Sequence, residues 1–308
     1  MRIDVAAQTD IGRRKRKNED SFGVFQEDTP NLQLFQEGGL LCVADGLGGH
    51  IGGEIASKLA VSMIKDALSR SPEPPPSDSE AAEEDPQGYL AVLRGAFQRA
   101  NDSIHRTNQD LMSDGRPMGT TLLAVLVVPK RAYIGNVGDS RCYHVRDGEI
   151  IARTEDHSWV DEQVKLGLMS KAEAEVDSRK NMVTRCIGTH PEVEMDTYVW
   201  HLVPGDMLLL CTDGLVNMVK DSDIKAQFAR NSAPAEIVHN LVEMANENGG
   251  KDNITVIVAD ISPSLRTMLA RRIRWFSKRK GAKVVAVLLA LLYGGLCFLA
   301  GFLIGRGG

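Results

Sequence analysis

Residues 118–153 read MGTTLLAVLVVPKRAYIGNVGDSRCYHVRDGEIIAR. Four short apolar runs follow one another there: Thr121 to Val128, Arg131 to Val137, Arg141 to Val145 and Glu149 to Arg153. Only turn residues separate them, and β-branched and aromatic residues are frequent within them, which predicts strands. Strands joined by such short connections pair antiparallel, because a parallel pair needs a crossover of a dozen residues or more.

The same reading extends outward. Strands are expected near Val5-Ala6-Ala7, at Ser21 to Phe25 and at Leu40 to Val43. A helical pattern opens at Gly53-Glu54 and carries Ile55, Leu59, Val61, Met63, Ile64 and Leu68 through Arg70. A second helix over Tyr89 to Met112 places Leu90, Leu93, Phe97, Ala100 and Ile104 on one face. Further helices are expected at Ser158 to Ala174 and Pro234 to Asn248, and late strands at His201 to Thr212 and Ile254 to Asp260. Blocks of hairpins around helix pairs, without β-α-β alternation, predict an α+β fold: a β-sandwich of two antiparallel sheets flanked by α-helices.

Acidic residues recur at the turns beside these runs: Asn18-Glu19-Asp20, Asp45-Gly46, Asp139, Asp213-Gly214 and Asp252. A carboxylate at a strand end can point into a cleft while its strand stays buried. Several such carboxylates close together cannot all remain ionised without a positive partner between them. Hard divalent cations with oxygen ligands suit that role, and they activate water against phosphorus. One Asp-Gly is only a common turn; the joint pattern carries the weight. The basic run Arg13-Arg14-Lys15-Arg16-Lys17 lies directly before Glu19-Asp20 and supplies cationic groups for a phosphate.

Charge is unevenly spread. The 308 residues have a formal charge of −5, yet no acid follows Ile261, where nine Lys or Arg lie. Residues 1–261 hold 27 basic and 41 acidic residues, a formal −14, which argues against nucleic-acid binding. Val284 to Gly305 is 22 residues without charge, enough for one transmembrane helix. Arg271, Arg272, Arg274, Lys278, Arg279, Lys280 and Lys283 precede it, so the positive-inside rule keeps the preceding domain cytoplasmic. Residues 1–261 form the expected catalytic domain, 262–283 a basic juxtamembrane segment and 284–305 a C-terminal anchor in the inner membrane. Ala290, Gly294, Cys297, Gly301 and Gly305 form a small-residue face suited to a homodimer. Residues 71–87, with five Pro, six acids and no Lys or Arg, read as a surface loop. The five cysteines form no C-x-x-C pair and are expected to be reduced.

Eight ordered segments give a family resemblance. They are Thr9-Asp10-Ile11-Gly12 leading to Asn18-Glu19-Asp20-Ser21; Val43 to His50; Met118-Gly119-Thr120-Thr121; Val137-Gly138-Asp139-Ser140-Arg141; Glu155-Asp156-His157-Ser158; Val183-Thr184-Arg185 with Gly188; Cys211-Thr212-Asp213-Gly214-Leu215; and Gly250-Lys251-Asp252-Asn253-Ile254-Thr255. Together they resemble the bacterial members of the protein phosphatase 2C-like, metal-dependent Ser/Thr phosphatases. The resemblance implies two sheets with a metal centre at one end, and hydrolysis of phosphoserine or phosphothreonine by a metal-activated water without a phosphoenzyme. It also implies two to three Mn²⁺ or Mg²⁺ ions, phosphoprotein substrates and an opposing Ser/Thr kinase.

By position, Asp45 would bridge two metals and Gly46 would offer its carbonyl. Asp213 and Asp252 would complete the direct ligands, Glu19 and Asp20 would act largely through water, and Asp139 with Asp213 would hold a third ion. The family's phosphate-gripping Arg falls on Lys15, with Arg14 and Arg16 as alternatives. Leu47 stands where eukaryotic relatives have a His, and His50 lies nearby. Glu155 to Arg185 matches a flap, whose usual His-Pro is replaced around Asp177-Ser178. A non-catalytic, membrane-tethered phosphoprotein-binding scaffold is the alternative, although no metal carboxylate is missing.

Overall fold

The computed structural model describes residues 2–26, 38–48, 52–67, 85, 88–111, 117–230 and 232–262. Two five-stranded sheets form its centre. One has the strand order β1 (Arg2–Asp10), β12 (Ile254–Ser262), β11 (Met207–Cys211), β8 (Arg141–Arg146), β9 (Glu149–Arg153). The other has the order β10 (Asp196–His201), β7 (Arg131–Val137), β6 (Leu122–Val128), β3 (Gly39–Ala44), β2 (Ser21–Phe25). The pairings within both are antiparallel, and β4 (Gly46–Leu47) pairs with β5 (Gly119–Thr120) as a small ribbon.

Side chains alternate across a strand, and here both faces are covered. In β3 and β6, Leu41, Val43, Leu123 and Val125 point into the layer between the sheets, with Leu208, Leu210, Ile257 and Ala259 from the other sheet. Leu40, Cys42, Leu122 and Ala124 point outward against α1 (Gly52–Ala67) and α2 (Tyr89–Leu111). On the far side, Leu209, Cys211, Val256 and Val258 meet α7 (Pro234–Glu247) through Ile237, Leu241 and Ala245. Burial on both faces explains why these strands are continuous apolar runs rather than alternating ones. The order of layers is helix, sheet, sheet, helix, as expected.

Three expectations need correction. The late strand at His201 to Thr212 is two strands in different sheets, β10 and β11, separated by Val203-Pro204-Gly205-Asp206. The helix at Ser158 to Ala174 is two short helices, α3 (Trp159–Lys165) and α4 (Lys171–Val176). Ser158 caps the first, and Ser170 with Glu173 forms a capping box on the second, so the chain restarts a helix instead of continuing one. Thr121 is not a strand residue; it lies between β5 and β6, where its N–H and hydroxyl hold the backbone of Asp45. Two helices were not anticipated: α5 (Asp213–Val216) and α6 (Asp221–Phe228).

Among the described residues no helix is long and apolar enough to cross a membrane. The expected span at Val284–Gly305, its basic flank, His50, and the acidic loop 71–87 apart from Asp85 lie outside the described residues. Cys42, Cys142, Cys186 and Cys211 are free thiols.

Candidate metal centre

Antiparallel pairing brings distant turns to one end of the sandwich. The end of β1 pairs with the start of β12 at Asp10↔Ile254, the start of β2 with the end of β3 at Ser21↔Ala44, and the end of β11 with the start of β8 at Cys211↔Arg141. Glu19, Asp20, Asp45, Asp139, Asp213 and Asp252 all follow or precede these ends.

Asp45 leaves β3 with its backbone fully engaged. Its N–H donates to Thr121 Oγ1 at 2.9 Å, and its carbonyl accepts from Thr121 N–H at 2.9 Å and Thr120 Oγ1 at 2.8 Å. The side chain is the free part of the residue. Gly46 follows where no side chain fits: a Cβ there would lie 2.4 Å from the Gly53 carbonyl oxygen and 2.6 Å from that of Glu19. The turn therefore draws the start of α1 and the Glu19 backbone against the centre. Ser57 of α1 completes this join, donating its hydroxyl to the Glu19 carbonyl at 2.6 Å.

Asp213 opens α5. Asn217 Nδ2 donates to its Oδ2 at 2.9 Å, whereas its Oδ1 is buried with no hydrogen-bond partner. Asp45 faces it closely enough for a proton on one carboxyl to bridge to the other. Burial pushes Asp213 up to about 6, with the Asp252 charge adding to the rise. Burial also raises Asp45 well above the usual carboxylate range, helped by Asp20, Asp213, Asp139 and Asp252. Asp139, 6% exposed, is raised in the same way by burial and by Asp213 and Asp156.

Asp20 is anchored rather than open. Its Oδ2 accepts from Thr212 Oγ1 at 2.9 Å and Thr255 Oγ1 at 2.6 Å, at the ends of the central strands. Burial nevertheless takes it up to about 7, against the pull of these two hydroxyls. Among the described residues, Asp252 is the carboxylate of this cluster that forms an ion pair: Lys15 Nζ lies 2.5 Å from its Oδ1. Burial works against the Lys15 charge, but the Asp252 hydrogen bond and the Asp45 and Glu19 charges outweigh it and raise its pKa. Arg14 and Arg16 are exposed.

The loop joining β1 to β2 is held by Asn253, 2% exposed. Its Oδ1 accepts from Glu19 N–H at 2.8 Å, and its Nδ2 donates to the carbonyls of Ile11 at 3.0 Å and Lys17 at 2.9 Å. Asn253, Thr212, Thr255 and Ser57 are the positioning residues that sequence reasoning missed. The first three lay inside recognised segments, but nothing in a lone amide or hydroxyl announces a partner more than 190 residues away.

Asp20, Asp45, Asp139, Asp213 and Asp252 lie near enough to act on one another's charge, with Lys15 on Asp252, whereas among the described residues Arg14 and Arg16 form no ion pair with them. Among the described residues no group of three or more Asp, Glu, His or Cys side chains is placed to hold a metal ion. The fit to a divalent ion rests on the orphaned, buried Asp213 oxygen and on mutual repulsion between Asp45, Asp213 and Asp139. All-oxygen donors suit Mg²⁺ or Mn²⁺.

Residues 13–257 match the family profile of protein phosphatase 2C. The chain belongs to the protein phosphatase 2C family. Its similarity to the Serine/threonine phosphatase stp of Listeria welshimeri is 36% identity over 253 residues, covering 82% of this chain and 94% of that protein. The fold superposes on the serine/threonine phosphatase of S. agalactiae with a TM-score of 0.72 at 32% identity, covering 84% of this chain and 100% of the other. The catalytic domain of the serine threonine protein phosphatase PstP, solved in complex with two manganese ions, matches with a TM-score of 0.67 at 33% identity, over 85% and 99% of the two chains. The resemblance drawn from eight segments is therefore a family membership that spans the described domain.

Proposed function

We propose that this chain is a serine/threonine protein phosphatase that hydrolyses phosphoserine and phosphothreonine with Mn²⁺ or Mg²⁺, opposing a Ser/Thr kinase. Asp45, the Gly46 carbonyl, Asp213 and Asp252 are the proposed direct ligands. Glu19 and Asp20 act through water, and Asp139 with Asp213 holds a third, weaker ion. When bound, the ions supply a hydroxide at neutral pH and neutralise charge on the phosphoryl oxygens.

The protein's part is positioning. Thr120 and Thr121 fix the Asp45 backbone so that its carboxylate faces Asp213. Thr212 and Thr255 hold Asp20 behind them. Asn253 sets the height of the loop that carries Lys15 and Glu19. Lys15 is the proposed phosphate contact: its ammonium lies on Asp252 and would turn to an incoming phosphoryl group when Asp252 is engaged as a metal ligand. It would act as a point charge rather than a bidentate fork. Leu47 beside the Asp45-Gly46 turn offers no proton, so protonation of the leaving oxygen would fall to the chemistry supplied by ions held at Asp45, Asp213 and Asp252.

The buried Asp213 oxygen without a partner carries this reading. Release of phosphate from a phosphothreonine protein should require Mn²⁺ and vanish in Asp45→Asn. Phosphoprotein binding without turnover in manganese would sink the phosphatase and leave the scaffold.

Val284–Gly305 and its basic flank support an inner-membrane anchor with the catalytic domain in the cytoplasm. Recovery of the full chain in the soluble fraction after cell lysis would refute it. The small-residue face supports a homodimer through this segment, and unaltered self-association of Gly301→Ile in membranes would refute that.

A further inference from the structure

Five consecutive cations, Arg13-Arg14-Lys15-Arg16-Lys17, are all exposed, and the middle one, Lys15, reaches Asp252 of the carboxylate cluster, so the run borders it. Their loop is pinned from beneath. Arg13 and Arg14 donate their N–H groups to the Gly250 carbonyl at 2.7 and 3.2 Å, and the Lys17 carbonyl accepts from Asn253 Nδ2 at 2.9 Å. At the loop's start Gly12 has φ +78°, and a Cβ there would lie 2.2 Å from the Asp252 carbonyl oxygen. The loop therefore rests directly on the segment that carries Asp252. Its backbone is pre-organised and its side chains are exposed, with Lys15 reaching Asp252.

Such a run is an electrostatic reversal. Residues 1–261 carry a formal −14, so an anionic segment is repelled from most of this domain. It meets attraction at this rim, next to the proposed metal centre. We propose that the 13–17 rim selects phosphoserine and phosphothreonine sites flanked by acidic residues or by further phosphates. This rests on the phosphatase reading above and names its substrate class. Cations set around a reaction centre act mainly on encounter and specificity. At roughly 10 Å in water each facing charge pair changes affinity about twofold, so three flanking acids against several rim cations give roughly tenfold.

An anionic lipid surface has similar charge. Lys15, the middle of the run, lies on Asp252 itself. A membrane seated on this rim would cover the centre that a protein substrate must reach, so the geometry favours the peptide.

The test uses the full chain with manganese and two labelled phosphothreonine peptides of equal length, one flanked by Glu and one by Gln. The Glu peptide should show a kcat/KM higher by roughly tenfold at low salt, shrinking as ionic strength shortens the screening length. Arg13→Gln/Lys17→Gln should at least halve that preference, read as the ratio of kcat/KM for the two peptides on the same variant, with the change falling in KM. Equal kcat/KM for the two peptides at low salt, or a preference indifferent to the double substitution, overturns the inference. If neither peptide is turned over, the phosphatase reading has failed, and anisotropy of the same peptides decides the rim question by binding alone. Vesicles of phosphatidylserine and phosphatidylcholine form the other arm. Vesicle retention that the double substitution abolishes, with no discrimination between the peptides, assigns the rim to lipid and refutes the proposal.

Discussion

Replacing Asn253 by Ala tests how the loop over the centre is held. The side chain makes three hydrogen bonds, to Glu19 N–H, the Ile11 carbonyl and the Lys17 carbonyl, from a position only 2% exposed. Each such bond contributes a net of about 1 kcal/mol, and a stranded buried partner costs more. Lys17 is exposed and Ile11 is 39% exposed, so water can replace part of the loss there. The Glu19 N–H has less access to water. We expect a loss of about 2–3 kcal/mol, read as a lower urea midpoint at unchanged slope. The freed loop also carries Lys15 and Glu19, so phosphate release should fall by more than the stability loss explains, under conditions where the variant remains folded. Asn253→Asp keeps the acceptor for Glu19 but loses both donations and places a charge beside Asp252; it should be no better than Ala. A urea midpoint within the equivalent of about 0.5 kcal/mol of wild type, together with wild-type turnover, would refute the proposed clamp.

Other perturbations probe other parts of the structure. Asp206 is fully buried and accepts from Arg146 Nε at 2.7 Å, His144 Nε2 at 2.8 Å and Val203 N–H at 2.8 Å. Burial opposes its charge, yet these bonds win and hold its carboxyl below the usual range. A depressed folded-state pKa means that the stabilisation is present above the unfolded value near pH 4 and is lost as pH falls through the folded one. Asp206→Asn should therefore cost about 2 kcal/mol at pH 7, less than a wholly buried pair because Arg146 is half-open, with the gap to wild type closing on acidification; a constant gap from pH 7 to pH 3 in urea titrations would contradict this. Gly46→Ala drives a methyl into the Gly53 and Glu19 carbonyls and should abolish turnover while Leu47→Ala retains it; equal activity of the two would remove the steric reading. Thr255→Val leaves Asp20 with Thr212 as its one hydroxyl donor and should weaken manganese binding several-fold by calorimetry, with Thr255→Ser largely restoring it.

The fold was legible where apolar runs ended at strong turns. The limits of β2, β7 and β9 coincide with their expectations. The reading failed where two elements shared one apolar stretch. Leu202 is buried between the sheets, so apolarity continues across the Pro204-Gly205 turn and hides the passage from one sheet to the other. Over 158–174 the apolar residues suggested one helix, but Val160 is the only buried residue of the two short helices, and Leu166 and Leu168 are 69% and 72% exposed. Little buried surface there stabilises a longer helix.

The site was legible as a set of acids at turns, since a carboxylate beside a buried strand is a costly choice without a cation. What holds those acids was not legible. Thr255 reaches Asp20 across 235 positions, and Asn253 reaches Glu19 across 234. Only the antiparallel closure of β1 on β12 and β2 on β3 makes them neighbours. All three basic candidates are exposed, and Lys15 is ion-paired to Asp252.

The buried Asp45–Asp213 pair should destabilise the metal-free protein and stabilise it once divalent ions bind. Thermal unfolding of the full chain and of its Asp45→Asn/Asp213→Asn variant, each with chelator and with excess manganese, tests it directly. Wild type should gain several degrees with manganese, by the linkage of binding to folding. The variant should be as stable as wild type or more so in chelator, since the buried pair of mutually raised carboxyls is gone, and should gain nothing from manganese. A manganese shift in the variant equal to that of wild type would contradict the account.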